Sequence, residues 1–159
     1  YVGSEEMSLM HTYPAFTEIF NLGFSDVRVK SYMLEDPEAK ELNNFKRVFG
    51  VSADAYFRAG TYNLSSAGTQ FMDLILGFMS KYPGIKLEIA VHTDNQGSAY
   101  TNQVLSQRRA EAMVSYLIIN GIERSKLIAK GFGGTKPIAS NILEADRKLN
   151  RRVSFTIVK

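Results

Sequence analysis

The most regular signal in this chain is an alternation between two hydrophobic periods, and it is sharpest from residue 51 onward. Alternation through residues 51–57 predicts a strand, ended by the turn-forming Ala59-Gly60-Thr61. Leu64-Ser65-Ser66 then opens a helix that runs to about Lys81. Phe71, Leu74, Ile75 and Phe78 fall on one face of it, and Pro83-Gly84 stops it. Ile85, Leu87, Ile89 and Val91 alternate again, so a second strand ends at His92-Thr93-Asp94 and passes into a loop with Gly97. A longer helix, about 100–120, turns Leu105, Ala112, Met113, Tyr116 and Leu117 inward, and Asn120-Gly121 offers a left-handed cap. Beyond it the pattern gives a short strand at 127–130, a glycine-rich loop at 131–140, a short helix at 142–149 and a last strand at 153–158. The order βαβαβ followed by αβ predicts an α/β fold, an α+β sandwich, with helices covering one face of a sheet around one core.

Before residue 51 the pattern is weaker. Residues 16–22 read as a helix, 26–33 as a strand, and 37–48 as a helix with Leu42, Phe45 and Val48 on one side. Asp36-Pro37 suits a helix start, because proline in the first turn gives up no needed donor. The chain therefore divides into residues 1–50, an N-terminal extension or the end of a preceding domain, and a domain at 51–159.

Composition narrows the functional classes. With 45% hydrophobic and 22% charged residues in 159, the chain has the makeup of a folded globular protein. Its longest apolar stretches, 71–79 and 113–119, fall well short of the roughly 20 residues a membrane span takes. Tyr1-Val2-Gly3-Ser4-Glu5-Glu6 lacks the basic and then apolar run of a signal peptide, so a targeting segment is expected to have been processed away or to lie outside this sequence. The absence of cysteine excludes disulfides and thiol chemistry, and is neutral on compartment. The net charge of +3 is uneven: residues 1–60 carry −3 and residues 61–159 carry +6. The C-terminal part thus favours a carboxylate-bearing ligand, while the excess is too modest to indicate nucleic acid.

The residues with distinctive spacing lie in that basic part. They are His92-Thr93-Asp94-Asn95-Gln96-Gly97, then Asn102, Leu105-Ser106, Arg109-Ala110, Gly131-Phe132-Gly133, Pro137-Ile138-Ala139, Asn141, Arg147 and Asn150-Arg151-Arg152-Val153. In this order they closely resemble the OmpA C-terminal-like family of peptidoglycan-binding domains, over about residues 53–159. The resemblance implies a mixed sheet of OmpA-like topology. It also implies a periplasmic, non-catalytic module that binds diaminopimelate in the stem peptide without cofactor or metal. Such a module would anchor an outer-membrane or envelope assembly to the wall, tethered to the outer membrane through a part absent from this chain. By the same resemblance Asp94 and Arg109 are the principal ligand contacts, Asn102 a supporting polar contact and Arg151 a second guanidinium. Gln96 faces the ligand, Leu105 shapes the wall, Thr93 and Gly97 fix the loop, and Asn150 supports the arginines that follow it.

The chemistry is apt. The free end of diaminopimelate is a zwitterion, which calls for a carboxylate to accept from its ammonium and a planar guanidinium to clamp its carboxylate. A helix N-terminus beside Asp94 would add free N–H groups. Each residue also has a plainer reading: Asp94 as a turn or helix cap, Arg108 and Arg109 as solvated helix charges, and Asn150-Arg151-Arg152 as a surface patch with Arg152 structural. His92 reads as structural rather than as a metal ligand, since the other histidine, His11, lies in the unmatched segment. A hydrolase built on His92, Asp94 and Ser106 lacks a nucleophile elbow, and the loop at 131–136 fails the pattern of a phosphate cradle.

Two departures from the family pattern keep a second function open, a protein-binding scaffold that kept the fold but lost the ligand. Asp146 replaces a common glycine before Arg147. Gly60 lacks a side chain that some relatives direct at ligand, a contact that Tyr62 or Asn63 would then carry.

Overall fold

In the computed structural model, which describes residues 36–49 and 52–158, the strand predicted from residue 85 becomes the centre of a three-stranded sheet. This strand, β1 (Lys86–His92), pairs in parallel with β2 (Leu127–Gly133) and antiparallel with β3 (Val153–Val158), giving the order β2-β1-β3. The period-2 alternation decides what each face does. Leu87, Ile89 and Val91, with Leu127, Val153 and Phe155 on the flanking strands, are all buried. On the opposite face the Glu88 carboxylate meets Lys130 Nζ at 2.9 Å. The mixed sheet with helices on one face is the expected fold class.

The helices that cover the apolar face follow their capping signals. Helices α1 (Pro37–Phe49) and α2 (Ala53–Tyr56) precede α3 (Ser66–Lys81), whose N-cap Ser65 accepts from the Gly68 N–H at 3.0 Å. Helix α4 (Ala99–Ile119) carries the chain from β1 to β2, starts at the N-cap Ser98 and ends beside Gly121, whose φ of 104° is the left-handed cap read from the sequence. A 3-10 turn (Arg124–Lys126) leads into β2, and α5 (Glu144–Asn150) precedes β3. Phe71, Met72, Ile75 and Phe78 of α3 and Ala110, Met113 and Leu117 of α4 fill the core against the sheet. Residues Glu38–Lys159 form one compact unit, to which α1 contributes the buried Leu42 and the half-buried Phe45. The helix and strand expected at 16–22 and 26–33 lie outside the described residues, as does Val51.

Two expected elements differ. The strand predicted at 51–57 is instead the helical turn α2 between two isolated antiparallel bridges, Ser52 to Arg152 and Phe57 to Leu64. The buried positions are Ala53, Tyr56 and Phe57, an i, i+3, i+4 set, and Ala-Asp-Ala is weak strand material, so helical burial prevails. The strand predicted at 127–130 runs on to Gly133, through residues read as loop. There a glycine does what a loop was invoked for: a Cβ on Gly131 would stand 2.1 Å from the backbone nitrogen of Gln107. The gap between β2 and α4 exists only without that Cβ. The Gln107 amide exploits the approach, with Oε1 accepting from Gly131 N–H at 2.8 Å.

Gly131→Ala should therefore cost about 2–3 kcal/mol in urea unfolding, the scale of overpacking against fixed backbone. An equally stable variant would show that α4 can move off the sheet.

Candidate functional site

The carboxyl end of β1 and the start of β3 are brought together by backbone bonds before any side chain acts. His92 N–H donates to Arg152 O at 2.9 Å, Ala53 N–H donates to Arg151 O at 3.0 Å, and Thr93 N–H donates to Gly133 O at 2.9 Å. Arg151 is thereby set between α2 and the loop that leaves β1. Its guanidinium donates from Nε to Asp54 Oδ2 at 2.9 Å, from Nη1 to Asp94 Oδ2 at 2.7 Å and from Nη2 to Glu144 Oε1 at 2.6 Å. Of the three carboxylates, the Asp94 side chain is 10% exposed, against 43% for Asp54 and 63% for Glu144. The Asp94 arm is the least screened by solvent. Burial alone would lower the Arg151 pKa. The hydrogen bonds it donates to Glu144, Asp94 and Asp54 outweigh this and raise the pKa above the usual arginine value.

Asp94 is held from its other side too. Oδ1 accepts the Gln96 N–H at 2.9 Å, an Asx turn that bends the loop, and Thr93 Oγ1 donates to Asp94 O at 2.8 Å. Asn102 Nδ2 donates to Gln96 O at 2.7 Å and to Asp94 O at 3.4 Å, so this amide is spent on the loop. Gly97 takes φ 85°, and the exposed Gln96 side chain reaches Asn95. The helix N-terminus expected to bear on Asp94 is satisfied locally, because Ser98 Oγ accepts the Thr101 N–H at 3.0 Å.

Arg109 comes from α4, one turn after the half-buried Leu105. It is only 8% exposed. Nε donates to Thr61 O at 2.8 Å and the guanidinium lies 4.9 Å from the centre of the Phe57 ring. Among the described residues Nη1 and Nη2 have no acceptor, and no carboxylate forms an ion pair with the group. Burial lowers its pKa, and the charge of Asp54 only partly offsets this. Arg108, its neighbour, is exposed, as the 100° step between adjacent helical residues requires.

The remaining polar residues hold the frame. Asn150, fully buried, accepts with Oδ1 from Ile138 and Ala139 N–H and donates with Nδ2 to Ala139 O and Asn141 Oδ1. Arg152 donates to Lys136 O at 3.0 Å, a structural task. Ser106 Oγ donates to Gln103 O and accepts from Gly133 N–H, far from the work of a nucleophile. His92 stacks on Phe132 with ring centres 5.1 Å apart, and its Nε2 meets Ser154 Oγ at 3.3 Å. Among the described residues His92 Nδ1 is buried without a partner, so none of them orients the ring from that side as a catalytic base needs. Sequence reasoning missed Asp54 and Glu144, the first because its segment was assigned to a strand, and missed Thr61 because a carbonyl leaves no mark in a sequence.

This is the geometry of a small α+β domain in which a buried carboxylate, Asp94, and a buried guanidinium, Arg109, are linked through Asp54, which bonds the Arg151 that holds the first and acts by its charge on the second. Residues 56–151 match the family model described as the OmpA family, and the chain belongs to that family. It is 42% identical over 80 residues to outer membrane porin F of Pseudomonas fluorescens, a match covering 50% of this chain and 24% of the porin. The chain thus corresponds to about a quarter of that relative. The crystal structure of the peptidoglycan-associated lipoprotein from Burkholderia pseudomallei superposes with a TM-score of 0.62 at 25% identity, covering 74% of this chain and 99% of the lipoprotein. The cell wall anchor of the T6SS from Pseudomonas aeruginosa shares the fold, with a TM-score of 0.64 at 22% identity over 74% of this chain and 93% of that one. By name these are an outer membrane porin, a peptidoglycan-associated lipoprotein and a cell wall anchor.

Burial, then the charges of Arg152 and Lys136, push the His92 pKa down to about 4. The unfolded chain, with an ordinary value near 6.5, binds this proton more readily, so stability is full above about pH 6.5 and falls as pH drops toward 4. Denaturant titrations at pH 7 and pH 4.5 should differ by about 2 kcal/mol more in the wild type than in His92→Phe. Equal differences would remove His92 from the acid response.

Proposed function

We propose that this domain holds peptidoglycan non-covalently through the zwitterionic end of a diaminopimelate residue in the stem peptide. It would work in the periplasm, anchoring an outer-membrane or envelope assembly to the wall, with the tether to the outer membrane supplied outside these residues. The observation that carries this reading is Arg109. A guanidinium this buried is costly unless its charge is met, and within the described residues only one of its nitrogens is used. A ligand carboxylate placed against Nη1 and Nη2 supplies the missing acceptor in the paired geometry that arginine favours. Across the cleft each oxygen of Asp94 has one partner, and a carboxylate has room for about four hydrogen bonds, so Asp94 can also take an ammonium. The relatives support the reading by name, one being peptidoglycan-associated and one a cell wall anchor. In this reading Arg151 steadies Asp94 and offers a second guanidinium, Gln96 and Leu105 line the cleft, and Thr93, Gly97, Asn102 and Asn150 fix its shape.

One feature favours a protein partner as a second reading. Ile138, Ile142, Leu143 and Leu149 are all more than half exposed, on a loop and helix stitched together by Asn150 and Arg147.

Calorimetric titration with the tripeptide L-Ala-D-Glu-diaminopimelate separates the two. Wild type should bind, and Asp94→Ala and Arg109→Ala should each weaken binding by about thirtyfold or more, as loss of one partner of a desolvated charge contact does. A folded wild type that binds neither the tripeptide nor whole sacculi would defeat the wall reading and leave the protein partner.

A further inference from the structure

The cleft has a second arm, formed by the loop between α2 and α3. The bridge between Phe57 and Leu64 closes this loop as a hairpin, and Arg58 N–H donates to Asn63 O at 2.9 Å. Inside it both the N–H and the Oγ1 of Thr61 donate to Arg58 O at 3.0 Å, and Oγ1 accepts the Asn63 N–H at 3.2 Å. A loop bonded in this way keeps its shape without a ligand. Two consecutive residues leave it in different ways. The Thr61 carbonyl turns inward to hold Arg109, while the Tyr62 ring stands 45% exposed, with the Arg108 guanidinium 5.5 Å from its centre. Adjacent arginines of α4 thus grip adjacent residues of the loop. Because the Thr61 carbonyl is bonded directly to the Tyr62 nitrogen, the ring lies within about 10 Å of the Arg109 guanidinium, the length of about three extended residues.

We infer that Tyr62, braced by Arg108, is a stacking platform for an amino-sugar ring of the glycan strand that bears the stem peptide. This rests on the peptidoglycan reading and extends it from the peptide to the saccharide. With a guanidinium over one face, the other face of the phenol ring is left for a flat apolar partner. A pyranose offers such a partner in its C–H face. The two residues between diaminopimelate and the sugar offer a methyl and a short charged chain, neither of which covers an aromatic ring. Those two residues also span the separation between Arg109 and Tyr62. The Arg108 N–H groups would be close enough to donate to sugar hydroxyl or acetamido oxygens at the rim of the stack.

The test compares two ligands by calorimetry: the free tripeptide L-Ala-D-Glu-diaminopimelate and the same tripeptide carried on the N-acetylglucosamine–N-acetylmuramic acid disaccharide. Wild type should bind the disaccharide form five- to tenfold more tightly, the scale of one aromatic stacking contact. Tyr62→Ala should lose that preference and keep its affinity for the free tripeptide, while Tyr62→Phe keeps both. Because Tyr62 is exposed, an unchanged thermal midpoint is expected in both variants. Equal binding of the two ligands by wild type overturns the platform while the tripeptide reading stands, and so does a Tyr62→Ala loss shared equally by both. Silence of the folded wild type toward both ligands overturns the peptidoglycan reading and the platform with it.

Discussion

A charge held in the protein interior constrains the rest of this cleft. Arg109 reaches inward from α4 to a backbone carbonyl and an aromatic face, and neither is a counter-ion. A carbonyl hydrogen bond and a contact with a ring each contribute on the order of 1–2 kcal/mol, while removing a guanidinium from water costs several. The deficit is tolerable because the core beneath, built from α3, α4 and the sheet, is large enough to carry it. In the proposed binding mode it would also make the group receptive, because a ligand carboxylate would meet an arginine already stripped of much of its water and fixed in direction.

On the opposite wall the problem is solved in the reverse way. Asp94 is as buried as Arg109, but each of its oxygens already has one donor, the Gln96 N–H on Oδ1 and Arg151 on Oδ2. Arg151 is shared among carboxylates from three separate segments, two of them largely open to solvent. The charge on this side is therefore balanced within the chain, with Arg151 as the shared donor. Asp54 is central to that balance, since it bonds Arg151 and its charge also acts on Arg109.

Much of the frame was legible in the sequence because it depends on local periodicity. The strand from residue 85, the two long helices and their serine and glycine boundaries all stand where spacing and capping put them. The first strand was misread because apolar residues at 51, 53, 55 and 57 mimic alternation, although only Ala53 and Phe57 of that series are seen buried and Tyr56 joins them. The second strand was cut short because glycines at 131 and 133 look like loop until the approach of α4 explains the first. The site was legible as a motif but not as a geometry. Resemblance named Asp94, Arg109 and Arg151. That Arg151 bonds Asp94, and that Arg109 is anchored on Thr61 O, follow from contacts 57 and 48 residues apart in the chain, beyond the reach of any local pattern.

The way those distant residues are joined also bears on how such a domain would perform as an anchor. His92 N–H to Arg152 O, Ala53 N–H to Arg151 O and Thr93 N–H to Gly133 O tie the loop after β1 to both flanking strands through the backbone. Asn150 then locks the segment that precedes β3 with four bonds at a fully buried position. No side chain in this set has to find its place when ligand arrives. In a frame that is already ordered, the gain from each ligand contact goes into slowing dissociation rather than into organising the protein. In the proposed role of a contact between an envelope assembly and the wall, dwell time is the quantity that matters, and the backbone bonding around Arg151 and Asp94 would set it.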